Sequence, residues 1–400
     1  MHRLLLRPAV LRDRAGENSS RVTVLELFFD LVFVFAITQL SHTLLGHLTV
    51  RGPIEVTVLL MATWWVWMYT TWATNWVDPG TGSVRLLLLV LMFGGLLFST
   101  SIPDAFGDTG LVFAVAYSIM QIGRTLFLLA ALWGRAERRT MARIIAWFAA
   151  SAPFWVVGGL VEGDARLVLW IVALAIDYLA PSAGYRIPGR GRVAATDWQI
   201  SPSHMAERCG LFIIIALGES VLVAGATYTE LEHTLPVVVA FAAAFVGSVS
   251  LWWIYFGTIA EQATRHFEEE ASPGRMAVVA YTYLHLPIVA GIIVVAVGDE
   301  LALAHPEGHS DTATVLTVVG GPAVFLLGTL LFKVVSAIGR FPVSHAVGLV
   351  LLLVLIPLAD GISPLVLTCL TTGILLVIGA FEAIANRRTA RQQREAVFQM

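Results

Sequence analysis

Long apolar stretches recur along the whole chain, and they constrain the fold more than any single motif does. Splitting them at polar or Gly/Pro-rich breaks gives twelve candidate spans. The first six fall at about 24–46, 54–77, 84–102, 109–134, 141–160 and 166–181. The second six fall at about 204–228, 234–260, 276–299, 313–336, 342–359 and 362–385. A helix needs about 20 residues to cross the hydrocarbon core of a bilayer. Composition agrees: 57% of the 400 residues are hydrophobic and only 13% are charged, where a soluble domain carries roughly 25% charged. The expected fold is all-α, a polytopic integral membrane protein of about twelve transmembrane helices.

The basic residues give an orientation. With the N-terminus inside, 21 of the 25 Lys and Arg residues fall on the cytoplasmic side, as the positive-inside rule requires. Arg51 and Arg166 remain outside, and Arg124 and Arg208 lie within spans. Five arginines precede the first apolar run, but no small-residue cleavage site follows it, so the segment reads as a tail that stays attached. The expected location is a bacterial cytoplasmic (inner) membrane with both termini cytoplasmic. Cys209 and Cys369 lie in apolar segments and suggest no disulfide framework. The scattered arginines form no basic-aromatic surface, so no nucleic-acid partner is expected.

The two halves resemble each other. Glu26–Gln39 aligns without gaps on Glu207–Ser220, Trp64-Trp65 matches Trp252-Trp253, Arg85 matches Arg275, and Arg124 matches Lys333. Six spans is an even number, so such halves share one orientation and form parallel repeats. The expected organisation is a tail at 1–23, a six-helix repeat at 24–181, a linker at 182–203, a second repeat at 204–386 and a tail at 387–400.

The stretch Glu26-Leu-Phe-Phe-Asp-Leu-Val-Phe-Val-Phe-Ala-Ile-Thr-Gln-Leu-Ser-His42 is apolar enough to enter a bilayer, yet carries two carboxylates, a Gln and a His. Glu26 and Asp30 are four residues apart and stack on one helix face. Charged groups inside a membrane face a bundle interior or a water-filled cavity. Two readings stand side by side, a proton or cation site and an interhelical salt bridge. Arg124, about 15 Å above the cytoplasmic end of the fourth span at 1.5 Å per residue, is the expected partner of Asp30. By the repeat, Lys333 is the expected partner of Glu207, with Arg208 competing.

This stretch and His204-Met-Ala-Glu-Arg-Cys-Gly-Leu-Phe-Ile-Ile-Ile-Ala-Leu-Gly-Glu219 resemble the bacterial low temperature requirement A (LtrA) family. The resemblance extends from about residue 20 to 386. It implies a multi-pass bacterial membrane protein and no settled reaction or substrate. Phe28–Thr38 is also similar to the first helix of a potassium-channel family built from six-helix repeats. Phe29 stands where that signature has Ser, and Val24 where it has Arg.

Glu219, between Gly218 and Gly225, is a candidate pathway residue. Asp177 and Glu382 read as interfacial. His42 shares a face with Gln39 and suggests a relay, whereas His285, two residues before Pro287, reads as a hydrogen-bonded structural histidine. His266 and Glu268–Glu270 read as a solvated loop. Trp64, Trp67 and Trp72 cannot all sit at span ends and are expected to pack between helices. No His-Glu-x-x-His, Cys-x-x-Cys, Walker, Rossmann or Gly-x-Ser-x-Gly spacing occurs, so no metal, cofactor or catalytic residue is expected.

The leading expectation is movement of an ion or small solute through a site lined by Glu26, Asp30, Gln39, His42, Arg124, Glu207, Glu219, His285 and Lys333. The alternatives are a membrane-embedded enzyme acting on lipid or isoprenoid substrates and a structural or sensory scaffold. Membrane lipids are the expected surroundings, and a homo-oligomer is compatible with the sequence.

Overall fold

The computed structural model describes residues 10–12, 21–189, 191, 201–258, 278–336 and 341–398. The His266 and Glu268–Glu270 loop lies outside them. Among the described residues the chain forms twelve α-helices. Ten of them are long and apolar enough to cross a membrane, and the protein is an all-α, multi-pass membrane protein. Helices suit a bilayer because every backbone group is satisfied within the segment.

The chain divides into two compact units, one running to Arg208 and the other starting at Cys209. The first holds α1 (Val24–Gly46), α2 (Arg51–Trp76), α3 (Gly82–Thr100), α4 (Gly110–Ala131), α5 (Arg138–Leu160) and α6 (Gly163–Ser182), with the first turns of α7 (Pro202–Glu230). A capping box starts α1: Thr23 Oγ1 accepts the Glu26 amide at 3.3 Å, and Glu26 Oε2 accepts the Thr23 amide at 2.8 Å. On α3, Leu86, Val90 and Phe93 form an exposed apolar stripe at the spacing of one helix face.

Helix α2 falls short of the apolarity of a spanning helix because it is rich in Thr and Trp. It is nonetheless the buried centre of this unit, packed against α1, α4 and α6, with residues 62–77 all buried. The threonine hydroxyls are satisfied locally: Thr63, Thr70 and Thr71 each donate to the carbonyl four residues back. Trp64, Trp67 and Trp72 are buried between helices, as expected. The segment before α1 is tied to the end of α2, where the Arg12 amide donates to the Trp76 carbonyl and the Asp78 amide to the Val10 carbonyl.

The second unit holds the rest of α7, then α8 (Leu235–Thr258), a π-helical turn (Val278–Tyr283), α9 (His285–Ala304), α10 (Thr312–Val335), α11 (Val343–Leu358) and α12 (Pro364–Phe398). Its tightest seam joins α9 to α10. A Cβ at Gly291 would stand 2.5 Å from the Phe325 amide nitrogen, and one at Gly321 would stand 2.7 Å from that of Val295. Small residues let membrane helices approach this closely. Asp311 caps α10, accepting the Thr314 amide at 2.7 Å.

Candidate functional site

In the first unit, Glu26 and Asp30 share a face of α1, and both are fully buried. Glu26 Oε2 accepts from Arg12 Nη2 at 3.1 Å and from the Thr23 hydroxyl at 2.9 Å. Its Oε1 lies 2.9 Å from His204 Nε2. The amide of Asn75 fixes the state of that ring. Asn75 Oδ1 accepts the Ser201 amide, so its Nδ2 is the donor facing His204 Nδ1 at 3.2 Å. His204 Nδ1 is therefore an acceptor, and the ring is the neutral tautomer that donates from Nε2 to Glu26.

Asp30 Oδ1 accepts from Trp67 Nε1 at 2.7 Å and lies 2.8 Å from Arg208 Nη2. Arg208 also donates to Thr71 Oγ1 at 3.3 Å, and its guanidinium carbon is 5.5 Å from the centre of the Trp67 ring. This corrects the expected pairing: Asp30 meets Arg208 and not Arg124. Two carboxylates face two guanidinium groups, so the cluster is charge-balanced, as buried charges must be. Glu207 is exposed and accepts the Val22 amide at 3.1 Å.

Arg124 instead donates to the Val66 carbonyl at 3.2 Å, to Thr70 Oγ1 at 3.1 Å and to Gln121 Oε1. From there the network continues: Gln121 Nε2 donates to Tyr117 Oη, which donates to Asp177 Oδ2 at 2.7 Å. Trp155 Nε1 adds a bond to the same oxygen at 3.1 Å. Asp177 is thus a buried carboxylate linked to Arg124 through two neutral side chains. Gln39 is half-buried and His42 exposed.

In the second unit, Lys333 pairs with Glu382 on α12 at 2.8 Å, where Glu207 was the expected partner. Ser344 donates to the other oxygen of Glu382. His285 is fully buried, with Nδ1 3.0 Å from the Ala280 carbonyl and Nε2 2.8 Å from Tyr255 Oη. A carbonyl only accepts, so Nδ1 carries the proton and Nε2 accepts from the tyrosine. Both ring nitrogens are used, and the π-helical turn supplies one of the partners.

Glu219 is buried, and its neighbour Ser220 leads to a carboxylate that the sequence reading missed. Ser220 Oγ donates to Asp299 Oδ2 at 3.3 Å and lies 3.2 Å from Ser248 Oγ. These oxygens come from α7, α9 and α8 and are buried. Among the described residues no basic side chain lies within ion-pair distance of Asp299. The sequence signal was an Asp at the expected end of the ninth span. The π-helical turn and α9 carry that span on to Ala304, which places Asp299 inside it. Among the described residues no three His, Cys, Asp or Glu side chains are grouped to hold a metal ion.

The sequence profile described as "Bacterial low temperature requirement A protein (LtrA)" matches residues 21–380. A protein of Rhizobium meliloti (strain 1021), named "Uncharacterized protein RA0937", is 41% identical over 382 residues, covering 94% of this chain and 93% of the relative. No solved structure matches.

Proposed function

The chain belongs to the bacterial low temperature requirement A family, and from that premise we propose that it moves a proton or a small cation across the cytoplasmic membrane by exchange at Asp299. One contrast carries this reading. Glu26 and Asp30 each face a guanidinium, and Asp177 is linked to one through Tyr117 and Gln121, whereas Asp299 meets serine hydroxyls. An isolated ionised carboxylate within a membrane span is costly. Without a basic partner among the described residues, Asp299 is neutralised by a proton or a cation, and exchange of that occupant is the proposed step, while the Glu26–Asp30 cluster serves as a fixed lock between α1, α2 and α7. The arginine asymmetry of the loops supports a cytoplasmic N- and C-terminus. Proton and cation flux in proteoliposomes tests the reading. Asp299→Asn should abolish flux at unchanged reconstitution and secondary structure; equal flux in the wild type and Asp299→Asn would exclude the site.

A further inference from the structure

Helices α11 and α12 form between them an open groove of about 650 Å3. Val343 and Val347 of α11 line it with Leu370, Ile374, Val377 and Phe381 of α12. All of these except Ile374 are exposed. A Cβ at Gly373, also in the lining, meets nothing within 4 Å, so the hollow reaches the backbone of α12. From Leu370 to Phe381 it follows that helix for about 17 Å at 1.5 Å per residue. One leaflet of a bilayer holds ~15 Å of hydrocarbon, so the groove has the length and the chemistry of a single lipid tail. Apolar contact does not select among lipids, because every lipid brings the same kind of tail. Selection has to come from the headgroup end.

That end lies beside Ser344 and Phe381. Ser344 and Lys333 both go to Glu382 there, so the lysine charge is already met. The next basic residues along α12 are Arg387, Arg388, Arg391 and Arg394, four within eight positions and with no acidic residue among them. The spacing sets two of them on the stripe that lines the groove. Leu370, Ile374, Val377 and Phe381 recur at intervals of four and three, and the same alternation continues through Ile384 to Arg388 and Arg391. The helix is unbroken to Phe398, so these positions share one face. Arg388 stands about 10 Å beyond Phe381 along the axis, which is headgroup level when the groove spans the hydrocarbon of one leaflet. Four or more basic residues directly beyond a spanning helix are the pattern that attracts anionic lipid. We propose that the α11–α12 groove holds a tail of one anionic phospholipid, whose phosphate is drawn by Arg388 and Arg391.

The full chain, purified in a mild detergent, is titrated with phosphatidylglycerol and with phosphatidylcholine of identical tails, and bound lipid is counted by native mass spectrometry. Each basic residue near a membrane surface contributes about fivefold in affinity. The wild type should therefore bind one phosphatidylglycerol about 25-fold more tightly than phosphatidylcholine. Arg388→Gln with Arg391→Gln should remove that difference and leave phosphatidylcholine unchanged. Arg135→Gln with Arg139→Gln, exposed between α4 and α5, should leave both lipids unchanged. Gly373→Leu fills the hollow and should weaken both lipids alike. Should that variant fail to fold, Val377→Trp fills the same hollow from its exposed rim. Equal wild-type affinity for the two lipids would overturn the proposal, as would an equal loss in the Arg135 and Arg139 variant. Phosphatidylglycerol binding that survives filling of the groove would also overturn it, since the arginines alone would then hold the lipid. A dimer that Gly373→Leu dissolves would give the groove to a second copy of this chain and remove the lipid from it. Lipid binding is read here without flux, so its failure leaves exchange at Asp299 untouched.

Discussion

The Arg208 guanidinium lies 2.8 Å from the Asp30 carboxylate, and neither side chain is exposed. This pair, and not the expected one with Arg124, fixes the first turns of α7 to α1. Arg124 and Arg208 nonetheless act on neighbouring residues of α2, donating to Thr70 and Thr71 respectively. Each threonine can do this because its own proton goes to the carbonyl one turn back, leaving the oxygen free to accept.

Removing one partner of a buried pair leaves an uncompensated charge, which typically costs about 3–5 kcal/mol. Asp30→Ala and Arg208→Ala should each lower the unfolding midpoint in detergent strongly. Asp30→Asn combined with Arg208→Gln removes both charges and should recover a large part of the loss. In reversed pairs, Asp30→Arg should be rescued in part by Arg208→Asp and not at all by Arg124→Asp. Rescue by Arg124→Asp alone would contradict the geometry.

The α9–α10 seam makes a second expectation. Gly291 and Gly321 face backbone nitrogen atoms of the opposite helix at distances no Cβ tolerates. Gly291→Ala and Gly321→Ala should each destabilise by about 1–3 kcal/mol, the usual range for overpacking. Gly218→Ala and Gly320→Ala, where a Cβ meets nothing within 4 Å, should be silent. Thermal unfolding of the four variants separates a specific close approach from a general intolerance of substitution.

How much of this was legible in the sequence depends on which coordinate is asked about. Apolar runs and 1.5 Å of rise per residue fix a residue's depth along its own helix. They therefore located the spans, the buried tryptophans of α2 and the acidic face of α1. They do not fix how neighbouring helices are turned toward one another. In the sequence Arg124 looked able to reach Asp30, and Arg208 looked only a competitor for Glu207; only the packed helices show that Arg124 turns to α2 and Gln121 while Arg208 meets Asp30. Asp299 was hidden for a related reason: the ninth span runs on to Ala304, so a residue at its apparent end lies inside. Arg12 is 14 residues before Glu26 in an arginine-rich segment, and nothing in that spacing marks it as a partner of Glu26.

Asp311 lies outside the spans, and its carboxyl is held below the ordinary carboxylate value by hydrogen bonds from the Thr314 side chain and amide. A depressed folded-state value stabilises above the unfolded value of about 3.9 and loses that contribution as pH falls through the folded one. The wild type should therefore lose an N-cap contribution under acid, whereas Asp311→Asn should keep its cap at every pH. Asp311→Ala should cost about 1 kcal/mol at neutral pH, the usual value for a lost N-cap. Hydrogen exchange at the Thr314 amide, followed from pH 7 to pH 3 in both proteins, checks the sign.

Asp177 and Arg124 do not touch, yet the network predicts that they are coupled. The guanidinium orients Gln121, Gln121 donates to Tyr117, and Tyr117 donates to the carboxylate. Each link has one donor role and one acceptor role, so reversing any member leaves its neighbour without a partner. Hydrogen-bonded chains of this kind are worth more than their separate deletions suggest. A double-mutant cycle of Arg124→Gln with Asp177→Asn should give an interaction energy of about 0.5–3 kcal/mol, although distant sites ordinarily add. Tyr117→Phe breaks the chain at its middle and should bring that interaction energy close to zero when the cycle is repeated in its background. A coupling that survives Tyr117→Phe would mean that the two charges interact directly through the low-dielectric interior, and that the two neutral side chains between them only fill space.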